Sequence, residues 1–537
     1  MNLRAVSLVA LLVVALLIGY ACSPGREGAS QRDADALVVV RRGNGGDPQS
    51  LDPALAEGVH EFDVLGDLYE GLLALDAAGE IIPGVAESWA VGNDGLTYTF
   101  RLRDDARWSD GAPVTADHFV TGMRRTLSPA TASAYGFLLY PIANAEAVAQ
   151  GRMPLTALGV AAQDPSTLVI RLQKPAPYLP SLLTMPVAFP IRQDDGDAKG
   201  HFSDPARFVG NGPFLLADWQ PGGHVRLRRN PLFREADSVA IDEVRYLPVP
   251  DPLTELTMYR AGELDITFAV PGSHVQQLRE THAGELMISP FLAVYYLAFD
   301  LSEAPFDDLS LRQALSMAID REALVRVTGR GERPAYGLIP DGVNDYRPAR
   351  HAWMSLPRDE RLARARALYA QAGYSEAEPL EVTLLYDAGD FHETIALAVS
   401  EMWRTNLGVD VRLDKREWKY FLSTRHNRDE WQVMRFSWTA DFDHPASFAD
   451  ILRSTSPQNL PGYASVRYDR LLAEAEATLD PDEQMQLYAA AEAAMLEDAP
   501  IAPLYFYVSK HLVSPSISGF ESNAFDRHPS RYLKKQR

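Results

Sequence analysis

Four residues late in the chain have types and spacing that could do chemistry: His392, and Asp441, Asp443 and His444 in the run Asp441-Phe-Asp-His444. His392-Glu-Thr-Ile-Ala396 opens like the helix of a zinc protease, but Ala396 stands where the second histidine must be. Asp441, Asp443 and His444 have the donor atoms of a metal site. They read equally well as a turn that caps a helix, since a carboxylate there accepts backbone N–H groups. No Gly-x-Ser-x-Gly elbow is present, and no glycine-rich phosphate loop follows a strand. Gly43-Asn-Gly-Gly46 reads as a turn. The 72 Asp and Glu residues supply carboxylate pairs by number alone, which is no signature of a hydrolase. An enzyme is therefore not expected.

Which elements must hold these residues? Residues 380–386 alternate as a strand, 392–407 have helical spacing ended by Gly408, and 409–413 and 431–438 form two further strands. Strand–helix–strand in this order is a βαβ unit with parallel strands, whose ligand edge lies at their C-terminal ends. If the 431–438 strand is parallel too, topology carries the loop 387–391 and the loop 439–445 to one crevice. His392, Asp441, Asp443 and His444 would meet there. Elsewhere, 97–103, 167–172 and 225–229 read as strands. Residues 308–327 read as one amphipathic helix, capped by Asp307, Asp308 or Ser310 and ended by Gly329, and 481–497 as another. Trp418, Trp431, Trp438, Tyr295, Tyr296, Tyr505 and Tyr507 lie in or near expected strands. Most such rings pack a core; a minority can line a pocket.

The 537 residues carry 51 Lys and Arg against 72 Asp and Glu, a formal charge of −21. Nucleic-acid phosphates need clustered cations, so binding to nucleic acid is not expected. With 46% hydrophobic and 23% charged residues, the chain can build a full core. The single cysteine, Cys22, excludes an internal disulfide and any multi-cysteine zinc site. Residues 1–21 read as an export signal, with Arg4 before an apolar run from Ala5 to Ile18 that is short for a membrane span. Gly19-Tyr-Ala-Cys22 resembles a bacterial lipobox, with Gly19 in place of the usual leucine. Cleavage before Cys22 would leave it lipidated, and residues 22–36 would form a polar tether.

Several short motifs recur in one order along the chain: Gln49-Ser-Leu-Asp-Pro53, Leu68-Tyr-Glu-Gly-Leu72, Pro83-Gly-Val-Ala-Glu-Ser-Trp89, Trp108-Ser-Asp-Gly-Ala-Pro-Val114, Asn211-Gly-Pro-Phe214, Tyr259-Arg-Ala-Gly-Glu-Leu-Asp265 and Ala314-Leu-Ser-Met-Ala-Ile-Asp-Arg321. In that order they resemble the periplasmic oligopeptide-binding proteins of ABC importers, in the peptide/nickel solute-binding family. Glu417-Trp-Lys-Tyr-Phe421 and Trp438-Thr-Ala-Asp-Phe442 resemble the oligopeptide branch. The resemblance implies an α/β fold of two lobes hinged by crossing strands, with an additional domain on the N-terminal lobe. The implied boundaries are 37–69, 194–296 and 507–537 for lobe I, 70–193 for the additional domain and 297–506 for lobe II.

A periplasmic, lipid-anchored monomer that passes oligopeptides to the permease and ATPases of an ABC transporter is implied, with no cofactor and no metal. The same fold could instead hold a murein peptide, a metal chelate or haem. By resemblance, Asp441 would pair with the peptide α-ammonium, and Arg435 and His392 would meet its carboxylate. Glu57-Gly58-Val59 and Ser437-Trp438-Thr439 would pair with its backbone, and Trp418 and Tyr135 would line side-chain pockets. Glu303, in Ser302-Glu-Ala-Pro-Phe306, falls where the family places a lysine counter-charge for one ligand length. Its negative charge is expected to disfavour that length.

Overall fold

The computed structural model describes residues 37–192, 201–343, 346–388, 391–425, 427 and 430–536; the side chains of 418, 419 and 422 are not among them. The export signal 1–21, the tether 22–36 and Cys22 lie outside the described residues, as do positions 389 and 390 of the loop 387–391.

The expected βαβ unit forms. Strand Glu381–Asp387 pairs in parallel with strand Asp410–Arg416, in register from Glu381 opposite Asp410 to Asp387 opposite Arg416. Helix His392–Leu407 connects them. Ile395, Val399, Trp403 and Leu407 recur every four residues on its buried face, and the Trp403 indole donates to Leu315 O at 2.9 Å. Gly408 ends the helix at φ +79°, a left-handed conformation that glycine adopts at little cost. The third strand, Val433–Thr439, is also parallel to Glu381–Asp387, but pairs with it only through Val433 and Met434.

These strands belong to a six-stranded sheet in the order Arg333–Pro334, Ile501–Leu512, Leu286–Phe299, Val433–Thr439, Glu381–Asp387, Asp410–Arg416. Both of its faces are covered. Val294, Tyr296 and Ala298 enter one core with Phe448, Tyr468 and Tyr488, while Tyr295, Leu297 and Phe299 enter another with Leu311, Leu315 and Trp403. A strand buried on two faces reads as a continuous apolar run, as residues 291–299 do.

Leu286–Phe299 and Ile501–Leu512 are long enough to leave this sheet together. Their pairing shifts register between Pro290 and Val294, where proline offers no N–H to the ladder. Beyond it, Leu286, Ile288 and Leu512 pack in a third core with Leu256, Tyr259 and Leu278. Through Ile266, which bridges both Arg42 and Val513, this end abuts a four-stranded sheet of Val39–Gly43, Glu243–Leu247, His224–Arg229 and Phe214–Gln220. A separate antiparallel sheet orders Ala86–Val91, Thr97–Leu102, Thr167–Arg171 and Val160–Asp164.

One expected helix is two. Asp308 caps Leu309–Ala318, but Ile319 is extended and Asp320 caps a second helix, Arg321–Thr328, ended by Gly329 at φ +63°. The cause is the fully buried Arg321, whose guanidinium donates to Ser316 O, Ile319 O, Ala335 O and Pro503 O. It satisfies carbonyls that a continuing helix would have bonded internally.

Candidate functional site

After Thr439 the chain turns sharply. Ala440 N donates to Leu292 O, Asp441 N to Ser447 Oγ, and the Trp438 indole to Ser447 O. This holds the Asp441 carboxylate, half-buried, in the wall of a cavity of about 180 Å³ shared with Ser181, Thr184, Met185, Phe525 and Arg527. Asp441 forms no ion pair among the described residues, and burial alone pushes its carboxyl up to about 6. Tyr135 stands edge-on to Phe62 at 5.8 Å. Burial first, then the charges of Asp441 and Glu57, raise the Tyr135 hydroxyl above its ordinary range. These three groups therefore lie within electrostatic reach of one another.

Two stretches of backbone adjoin these groups in the chain. Glu57 and Val59 are exposed, Gly58 is extended, and Val59 opens helix Val59–Leu68, so the first N–H groups have no acceptor within the helix. Val59 also lines a larger cavity of about 300 Å³, together with Phe291, Tyr507 and Lys510. On the other side, Ser437, Trp438 and Thr439 pair with Tyr295, Val294 and Ala293 along one edge. Their opposite edge has no strand partner among the described residues, because Glu381–Asp387 reaches only Val433 and Met434. An open edge of this kind accepts an added extended chain through its main-chain groups.

An open strand edge that leads into a half-buried acid with no ion pair among the described residues can be set beside known proteins. A profile for bacterial extracellular solute-binding proteins, family 5 Middle, matches residues 80–459. The periplasmic oligopeptide-binding protein OppA of Salmonella typhimurium is 37% identical over 525 residues, 97% of this chain and 96% of OppA. This chain belongs to family 5 of the bacterial extracellular solute-binding proteins. Among solved structures, the periplasmic murein tripeptide-binding protein MppA, in an unliganded open form, aligns with TM-score 0.84 and 34% identity over 93% of this chain and 97% of its own. The Haemophilus influenzae OppA complex with RPPGFSPFR aligns with TM-score 0.76 and 33% identity over 93% and 99%. The two-lobed fold of solute-binding proteins is thus the fold of this chain.

The remaining expected site residues of this family 5 protein are dispersed. Arg435 is buried against Tyr295 and Phe421 and forms an ion pair with Asp387. His392 stacks on Tyr295 at 5.6 Å and lies 3.8 Å from the same Asp387. These two therefore form one cluster around Asp387, apart from Asp441. His444 turns into the core, bonded to Gln484 and packed on Tyr178 and Tyr488, and burial lowers it to about 4. The single crevice expected for His392, Asp441, Asp443 and His444 does not form, although Asp443 does line the smaller cavity with Asp441. The metal reading of 441–444 loses its imidazole for the same reason. Trp418 begins helix Trp418–Thr424, and its side chain lies outside the described residues.

Glu303 is set apart from these groups. It is exposed, in a turn where Phe306 N and Asp307 N donate to its carbonyl, and it lines neither cavity. That turn follows Phe299, which pairs with Val433, whereas Ala293 pairs with Thr439. Six residues of strand, roughly 20 Å, separate the two ends. Residue types alone did not single out the cations lining the larger cavity, Arg330 and Lys510, which approach Glu332 at 3.4 and 3.5 Å. Nor did they single out His511, whose Nε2 meets Asp526 at 2.7 Å while its Nδ1 meets Thr267 O at 2.8 Å. Burial opposes charge on His511, yet Asp526 raises it overall; His528, on the same carboxylate, falls to about 4. The signal that could have found Arg330 was its place in the Arg-Gly-Glu segment closing the Arg321–Thr328 helix.

Proposed function

We propose that this family 5 protein captures oligopeptides between its two lobes in the periplasm and delivers them to the permease of an ABC transporter. The observation that carries the reading is Asp441: a half-buried carboxylate with no ion pair among the described residues, beside an open strand edge. A peptide ammonium supplies the missing charge. Its main chain pairs with Ser437, Trp438 and Thr439 on one side and Glu57, Gly58 and Val59 on the other. Because those contacts are to backbone, side-chain sequence is weakly read. Tyr135 borders a side-chain pocket, and the carboxylate end runs toward His392, Arg435 and the cations of the larger cavity.

The sheets support the division into lobe I at 37–69, 194–296 and 507–537, an additional domain at 70–193 and lobe II at 297–506. The two long strands act as the hinge. Better superposition on an open, unliganded relative than on a peptide complex supports an open resting state. Cleavage after residue 21 leaves Cys22 lipidated and the protein anchored as a monomer by the tether 22–36. Loss of fatty-acid labelling in Cys22→Ser tests the anchor.

A second reading, a murein peptide as ligand, is favoured by the overlay on the murein tripeptide-binding protein. Mass spectrometry of ligands released by denaturing the purified protein separates the two. A ladder of mixed short peptides supports the general receptor, one defined muropeptide the specialised one. Recovery of only a non-peptide solute, with no peptide binding in calorimetry, overturns both.

A further inference from the structure

In the wall of the larger cavity two cations share one carboxylate. Glu332 is almost wholly buried, with Oε1 3.4 Å from Arg330 Nε and 3.5 Å from Lys510 Nζ, while Oε2 accepts from Thr328 Oγ1 at 3.2 Å. Arg330 lies over the Phe391 ring at 4.0 Å. It packs so closely on Gly272 that a Cβ there would come within 2.7 Å of its Nε. Lys510 reaches in from strand Ile501–Leu512, opposite Ile288, and also donates to Val508 O at 3.1 Å. The other charges lining this cavity are Asp63, Asp526 and Arg527. Asp526 is engaged by His511 and His528, and Asp63 sits in the fields of Arg42 and Arg527.

An Arg330–Glu332 pair alone would be neutral. With Lys510 added, the cluster carries one positive charge in excess, in a wall where burial has already lowered the Lys510 ammonium. Charge of that kind is best neutralised by an arriving anion. In the smaller cavity, which shares Phe525 and Arg527 with this one, Asp441 forms no ion pair among the described residues. The cluster and Asp441 have the signs of the two ends of a zwitterionic peptide.

We propose that Lys510 is a specificity-determining residue: by sharing Glu332 with Arg330 it leaves that three-residue cluster one positive charge in excess, selecting ligands that end in a free carboxylate over those with an uncharged end. The proposal rests on the peptide reading above and adds the residue that sets its end preference.

The test is calorimetry with alanine tri-, tetra- and pentapeptides and their C-terminal amides, on wild type, Lys510→Met, Lys510→Arg and Glu332→Gln. Lys510→Met is expected to weaken the free acids by about tenfold, the effect of one unit charge some 10 Å away at an effective dielectric near 20, and to leave the amides unchanged. Lys510→Arg retains the wild-type acid-to-amide ratio, and Glu332→Gln widens it. The last two variants decide the matter if Lys510→Met does not fold. An acid-to-amide ratio that is the same in wild type, Lys510→Met and Glu332→Gln overturns the proposal while leaving the peptide reading intact. Binding of none of these peptides by wild type removes the peptide reading itself.

Discussion

Replacing Asp441 by asparagine separates two effects of opposite sign. In the free protein burial raises this carboxyl from 3.8 to about 6, with no cation among the described residues to offset it. At about 1.4 kcal/mol per pH unit, the rise corresponds to up to roughly 3 kcal/mol lost from the folded state at neutral pH. The folded chain holds this proton more tightly than the unfolded chain. The penalty is therefore absent below pH 3.8, grows between 3.8 and about 6, and is complete above that. Asp441→Asn should match wild type near pH 4 and exceed it in thermal stability at pH 7.5. Peptide affinity moves the other way. Removing one partner of a buried charge pair costs about 2–5 kcal/mol, thirtyfold or more in affinity. The assay is calorimetry of trialanine and N-acetyl-trialanine against both proteins, with melting curves at the two pH values. N-acetylation should cripple binding to wild type and hardly affect the variant. Wild-type affinity for the free peptide should rise as pH increases through about 6. Equal losses on N-acetylation in both proteins, or no stability difference at pH 7.5, would refute the reasoning.

Saturating peptide should reduce the radius of gyration in small-angle scattering and raise the melting temperature, by about 2.7 kcal/mol of stabilisation at a hundred times Kd; tight binding with an unchanged radius argues against hinge closure. The His511–Asp526 pair raises His511, so its stabilisation is whole below the ordinary histidine value of 6.5 and is lost as pH climbs through the raised one. The stability gap between wild type and His511→Gln should therefore narrow from pH 6.5 to 9, and a constant gap in urea titrations would exclude this linkage. Glu303→Lys should leave the peptide-length profile unchanged, since Glu303 lines neither cavity; a shifted profile in the alanine series would restore it to the ligand.

Much of the scaffold was legible in local chemistry. Residues 392–407 show their buried stripe and stop at Gly408, and 97–103 show their alternation, because those patterns report on burial of one face. The 308–327 helix was misread because its break comes from Arg321, whose acceptors include Pro503 O, 182 residues away. No periodicity records such a bond. Asp441 was legible through its motif, but its motif does not say that it has no cation partner. The adjoining His444 was misplaced because Gln484 and two tyrosines draw its ring inward.

The chain's own residues were thus enough to give the βαβ unit, the parallel pairing of its strands and the family. Those depend on residue type and short-range spacing, which the chain displays directly. Only the tertiary structure decided which charges are already paired and which stand open. Arg435 is held by Asp387 because the parallel register of Leu385 with Met434 sets Arg435 beside the C-terminal end of strand Glu381–Asp387. Arg330, just past helix Arg321–Thr328, and Lys510, distant in sequence, converge on Glu332 because that helix packs against strand Ile501–Leu512. Electrostatic partnership falls off with distance in space, and distance in space between remote residues is set by packing.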